Sequence, residues 1–136
     1  MGEDEARERF AAARVARLAT VTPDGRPHLV PIVFALDGDV LHFAVDDKPK
    51  STTALKRLAN LHANPAVSVL ADHYADDWTQ LWWVRADGTA RIRDLDAPVR
   101  ELLARRYPAY SAAPPPGPAV EVAISRWTGW RASSSS

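Results

Sequence analysis

Cysteine is absent from this 136-residue chain, which excludes disulfides, thiolate metal sites and cysteine nucleophiles together. Long apolar runs are missing as well. The longest are strand-sized and interrupted by charge, so no segment reads as a membrane-spanning helix. Glycine occurs six times and always singly, which removes glycine-rich dinucleotide loops. No Gly-x-Ser-x-Gly is present, so the nucleophile elbow of an esterase is excluded. The four histidines, His28, His42, His62 and His73, lack any paired metal-ligand spacing. Asp72, Asp76 and Asp77 beside His73 read as solvated loop carboxylates, and no metal is expected. Excess charge of one sign is also lacking: 17 acidic and 17 basic side chains give a net charge of zero. A nucleic-acid partner is therefore not expected. The opening Met1-Gly-Glu-Asp-Glu-Ala6 has neither the basic-then-apolar order of a signal peptide nor the hydroxyl of a myristoylation site. The expected location is the cytoplasm, with no membrane partner.

Lysine is nearly absent, and its distribution is informative. Against fourteen arginines there are three lysines, all in the stretch Lys48-Pro-Lys-Ser-Thr-Thr-Ala-Leu-Lys-Arg57. The same stretch holds Ser51, Thr52 and Thr53 where a helix begins. A helix N-terminus exposes unpaired N–H groups and the positive end of a dipole, and it normally draws acids into its first turn. Here the first turn has none, and Lys48, Lys50 and Lys56 surround it. One reading is an anion site, where a phosphate satisfies N–H groups, hydroxyls and ammonium groups at once. The other is a solvated basic loop in which Ser51 or Thr52 merely caps the helix.

Residues Glu3 to Ala16 carry strong helix formers with acids first and arginines later. A short strand is expected at Leu18–Thr22. Pro23-Asp-Gly-Arg26 follows as a turn. His28 to Leu36 is apolar on both faces and predicts a central, buried strand. Asp37-Gly-Asp39 predicts a second hairpin turn into Val40–Val45. From Thr52 to Ala63 the period becomes helical, with Leu55, Leu58 and Leu61 on one face. Asn64-Pro65 stops that helix before a strand at Ala66–Leu70. A long strand is expected over Gln80–Asp94, with a bulge at Asp87-Gly88. Next come a helix over Asp96–Tyr107, a proline-rich loop at Ala112–Pro118 and a last strand at Ala119–Ile124. Residues 1–132 form one domain, and Ser133–Ser136 reads as a disordered tail. Short helices appended to six mainly antiparallel strands predict a mainly β fold, a β-barrel rather than a sandwich.

The string from Leu18 to Pro31, Asp37-Gly-Asp39, Leu41-His-Phe43, the lysine cluster and Asn64-Pro-Ala-Val-Ser-Val-Leu70 together resemble the split β-barrel flavin and deazaflavin oxidoreductases. This is the superfamily of pyridoxamine 5′-phosphate oxidase. Phe43 to Lys50, Asp72-His-Tyr74, Asp77-Trp78 and Leu81 to Ala90 resemble an actinobacterial branch that uses the deazaflavin coenzyme F420. The resemblance implies a six-stranded FMN-binding-type split barrel, a homodimer, and cofactor sites in the subunit interface. It places the cofactor phosphate at Lys48, Lys50, Ser51, Thr52, Lys56 and Arg57, and the ring beside Pro31, Val33 and Ala44. Arg85, Arg91 and Arg93 are candidates for the acidic tail that deazaflavin carries, although each also reads as part of a solvated strand face.

Trp82 and Trp83 are neighbours on a strand and must face opposite ways. One should pack in the barrel and the other should face a partner subunit or a ring-shaped ligand. Trp82 and Trp130 are taken as ring-covering candidates. The implied function is hydride transfer between coenzyme F420 and a small organic acceptor, with the cofactor carrying the chemistry. No catalytic side chain is assigned; His73 or Tyr74 is a candidate proton donor if either lines the pocket. The alternatives are an FMN-dependent reductase or a pyridoxamine-phosphate-oxidase-like enzyme, and a non-catalytic protein that binds a cofactor or tetrapyrrole.

Overall fold

The computed structural model describes residues 1–45 and 51–133, the side chain of Thr53 excepted. The expectations for Lys48, Lys50 and the tail beyond Ser133 lie outside the described residues. In chain order the elements are α1 (Glu3–Ala12), β1 (Ala16–Val21), β2 (Pro27–Ile32), β3 (Ala35–Asp37), β4 (Val40–Ala44), α2 (Thr52–Ala63), β5 (Ala66–His73), β6 (Trp82–Arg93), α3 (Ala97–Arg106), α4 (Pro108–Ala112) and β7 (Ala119–Arg131). A single 3-10 turn at Trp78–Gln80 precedes β6.

The seven strands form one sheet in the order β2-β1-β5-β6-β7-β4-β3, and every neighbouring pair runs antiparallel. Laid flat, the two edges would stand roughly 29 Å apart, six spacings of about 4.8 Å. Yet the chain crosses from Ile32 in β2 to Ala35 in β3, a reach of at most about 11 Å. The sheet therefore curls into a split barrel. Phe10, Phe34, Leu41, Phe43, Val69, Val84 and Val122 fill its interior.

Several expectations are corrected. Among the described residues the strands number seven rather than six, because the run His28–Leu36 breaks at Val33–Phe34 into β2 and β3. That run is not central either: β2 lies at one end of the order and pairs only with β1. Its apolar outward face is exposed, with Leu29 67% accessible. α1 stops at Ala12 instead of Ala16, since Ala16 pairs with Ile32 and is wholly buried in β1. β7 runs on to Arg131, paired along nearly its whole length with β6. Pro108, at the first helical position, opens a short α4 where no element was expected.

Other elements form where local chemistry directs them. Gly25 (φ 87°) and Gly38 (φ 60°) supply the left-handed positions of the two hairpin turns. Asp96 caps α3 by accepting from the Val99 N–H at 3.1 Å, with proline in the first turn. The β6–β7 ladder slips between Asp87 and Gly88, as the sequence suggests: Asp87 pairs with Arg126 and Gly88 with Ile124. The extra residue, Ser125, donates its hydroxyl to the Asp87 carbonyl at 3.2 Å.

α1 closes one end of the barrel. Glu3, Asp4 and Glu5 suit its N-terminal dipole. Phe10 inserts against Phe34 and Trp127, with centroids 5.0 and 5.5 Å away. Outside, the Trp127 indole N–H and Arg7 Nε both donate to Asp39 Oδ1, at 3.0 and 2.9 Å. The Trp127 hydrogen bond and then the Arg7 guanidinium hold the Asp39 carboxyl below its ordinary range.

Candidate functional site

Where β2 bends into β3, the end of β4 and the first turns of α2 leave a cleft of about 210 Å³. Pro31, Ile32 and Val33 form one wall, Phe43 and Ala44 the second, Val15 the third, and Arg57 reaches in from α2. Four residues singled out in the sequence, Pro31, Val33, Ala44 and Arg57, thus meet from three separate segments. Alternation explains part of this. Pro31 and Val33 are two positions apart and share the outward side of the chain, while Ile32 between them points into the barrel.

Ser51 and Thr52 stand at the start of α2. Ser51 caps the helix by accepting from the Ala54 N–H at 3.1 Å, so the capping role is realised. The first turn carries no acidic side chain, which leaves the positive end of the helix without a countercharge of its own. Thr52 and Lys56 are exposed, whereas Arg57 is half-buried.

The remaining candidates lie elsewhere. Trp82 packs partly against the core and sits under Arg9, whose guanidinium is 5.6 Å from the ring centre. Trp83 takes the opposite face, as alternation requires, and is opposite Trp130 in the β6–β7 ladder. Neither Trp82 nor Trp130 lines the cleft. Arg85 bonds Asp87 at 3.1 Å, while Arg91 and Arg93 share Glu121 at 3.0 and 3.3 Å. These three arginines already hold carboxylates. Tyr74 lies on the outer sheet face, and His73 on a rim beyond Val15.

Two features of the cleft had no sequence signal. Val15 sits between a helix and a strand, and nothing in its neighbours marks it as a wall. Tyr107, at the end of α3, is 73 positions from its partner. Its hydroxyl oxygen accepts from the Phe34 N–H at 3.0 Å and from Arg106 Nε at 3.0 Å. It stands within donating distance of the carbonyls of Phe34 (2.8 Å) and Arg14 (3.0 Å). Arg14 precedes Val15 and Phe34 follows Val33. One hydroxyl therefore ties together the backbones of two cleft walls.

Chemically the cleft is an apolar slot with a cation at its edge. Among the described residues that line it only Arg57 is ionisable, and a guanidinium is a fixed charge and donor rather than a proton carrier. Such a slot binds and orients; reaction chemistry must be brought by what it holds.

The sequence pattern of pyridoxamine 5′-phosphate oxidase matches residues 3–131. No curated protein matches the chain. Among solved structures, it is similar to a conserved hypothetical protein from Mycobacterium tuberculosis, at 25% identity and TM-score 0.76, covering 96% of this chain and 85% of that one. An FAD-binding protein from Mesorhizobium loti matches at 23% identity and TM-score 0.73, covering 98% and 96%. The heme storage protein of Vibrio cholerae matches at 18% identity and TM-score 0.69, covering 95% and 93%. The shared architecture is the split barrel, built here from seven strands. This chain belongs to the pyridoxamine 5′-phosphate oxidase family.

Proposed function

We propose that this protein is an oxidoreductase that holds a flavin-type ring in the Pro31–Val33–Ala44–Arg57 cleft, coenzyme F420 foremost, and exchanges a hydride with a small organic acceptor. The observation that carries this reading is the convergence of those four residues on one slot. The residues fit a flat heteroaromatic group: apolar walls for its faces, and a guanidinium for a carbonyl or anionic oxygen at its rim. When bound, the deazaflavin supplies two-electron redox chemistry. The chain's own work is to exclude water with Pro31, Val33 and Ala44 and to orient the ring through Arg57. The acid-free start of α2, with Lys48 and Lys50 preceding it in sequence, suits the phosphate. Arg57→Ala is expected to weaken F420 binding by about 1.5 kcal/mol, the range of a charge-assisted hydrogen bond. Fluorescence titration checks this, and an unchanged dissociation constant would remove the cleft from the argument.

A flavin is the second reading, favoured by the FAD-binding protein among the structural neighbours. Parallel titration with F420 and FMN decides between them, and tighter FMN binding would displace the deazaflavin assignment. The heme storage neighbour makes a non-catalytic tetrapyrrole carrier the outcome to accept if heme binds tightly and neither redox cofactor does.

The active form is proposed to be a homodimer. Leu29, Tyr74 and Trp130 are exposed (67%, 67% and 44%), and Leu29 and Tyr74 line with Leu70 and Trp83 a hollow of about 570 Å³ on the outer sheet face. A monomer seldom leaves so much apolar surface in water. Light scattering should give twice the 14.9 kDa chain mass. A single species at the monomer mass would leave that face uncovered and the proposal wrong.

A further inference from the structure

Across Val15 from the cleft runs an open groove of about 610 Å³, between the end of α1 and the rim of β5 and β6. Val15 lines both hollows. Arg9, Arg14 and Arg17 line the groove, against one carboxylate, Asp72. In a chain of zero net charge this is a local excess of cations.

The carboxylates nearby do not cancel it. Arg17 stands 3.7 Å from Asp72, near the limit of an ion pair. Glu5 serves two guanidiniums at once, Arg9 and Arg131, each at 2.9 Å. Arg14 has no carboxylate partner among the described residues. It donates instead to the Arg106 carbonyl at 2.7 Å and lies over the Tyr107 ring, 5.0 Å from its centre. Arg106 behind it bonds the Ala13 carbonyl and the Tyr107 hydroxyl, both neutral. Arg14 is thus held in place by groups that leave its charge uncompensated. A guanidinium so fixed has N–H donors left over, arranged in the fork that matches an oxyanion.

We propose that this groove binds a carboxylate or phosphate group, and that it admits acidic ligands to the neighbourhood of the ring cleft; the link to the cleft rests on the function proposed above. The oxyanion has two possible sources: an acidic extension of the ligand in the cleft, or a separate acidic substrate. The expectation from sequence looked for such a group at Arg85, Arg91 and Arg93, which the structure pairs with Asp87 and Glu121.

Citrate, with three carboxylates and no ring, is the probe. Calorimetric titration of the full chain should show binding that weakens at least tenfold in Arg14→Gln, and weakens in the wild type as salt is raised. Arg91→Gln/Arg93→Gln, on the Glu121-paired face, should bind citrate like wild type. Repeating the titration with saturating F420 or FMN names the source. Expulsion of citrate means that the cleft ligand's own acid fills the groove, and retention means that a separate acid does. No citrate binding to wild type, or equal binding by the Arg14→Gln variant, overturns the proposal and leaves the cleft untouched. Loss of cofactor binding with citrate binding intact would overturn only the cleft reading.

Discussion

Gly88→Ala is expected to lower the stability of the protein by about 3 kcal/mol, at the upper end of what overpacking costs. A Cβ at this position would lie 2.3 Å from the Ala123 carbonyl oxygen and 3.0 Å from the Val122 side chain. The oxygen belongs to the backbone of β7 and cannot swing aside, so the β6–β7 ladder itself has to open. For a chain of this length the loss amounts to a fall of roughly 10 °C in Tm. Gly129→Ala provides the contrast. There the nearest obstacle is the Met1 sulfur at 2.6 Å, the end of a flexible side chain, and the cost should be smaller. Equal falls in Tm for the two variants, read by calorimetry, would show that the bulge is not what requires glycine.

Tyr107→Phe should cost about 1–2 kcal/mol of stability, because it strands part-buried partners that the hydroxyl now satisfies. The Phe34 N–H loses its acceptor, Arg106 Nε loses one of its contacts, and the carbonyls of Phe34 and Arg14 lose the one hydroxyl proton that lies within reach of both. The ring itself stays, and with it the edge contact to Tyr110 at 6.0 Å and the Arg14 stacking. The effect on the cleft should be separable from the effect on the fold. With the hydroxyl gone, the Val15 and Val33 walls are no longer tied to a common point, and affinity for the ring ligand should fall roughly tenfold at temperatures where the variant remains fully folded. Ring-ligand affinity equal to wild type under those conditions would confine Tyr107 to a structural role.

Local chemistry made much of this legible from sequence. The two hairpin turns, the α2 boundaries and the slip at Gly88 follow from turn residues, helical period and glycine placement. The run from His28 to Leu36 misled because its outward residues are apolar. Leu29 and Pro31 resemble core residues in a string, yet they cover the outside of the barrel beside Ala19 and Arg17. The length of β7 escaped notice because Arg126, Thr128 and Trp130 break the pattern of a buried strand, and only their pairing to Asp87, Arg85 and Trp83 reveals it. At the site, Pro31, Val33, Ala44 and Arg57 were legible through family resemblance. Val15 and Tyr107 were not, since each reaches the cleft by a contact between distant segments.

The strand order has a temporal consequence. β4, which carries Phe43 and Ala44, has two neighbours: the three-residue β3 and the last strand, β7. Ala44 is registered against Ala119, and the Val45 N–H bonds the Pro118 carbonyl at 2.9 Å. A chain emerging from the ribosome thus holds one wall of its cleft by a short hairpin alone until residues beyond 118 arrive. Completion of the barrel and completion of the binding slot are one step, taken only once β7 has been made. A ligand that fills the slot binds the finished barrel alone, so its binding energy adds directly to the stability of the closed form.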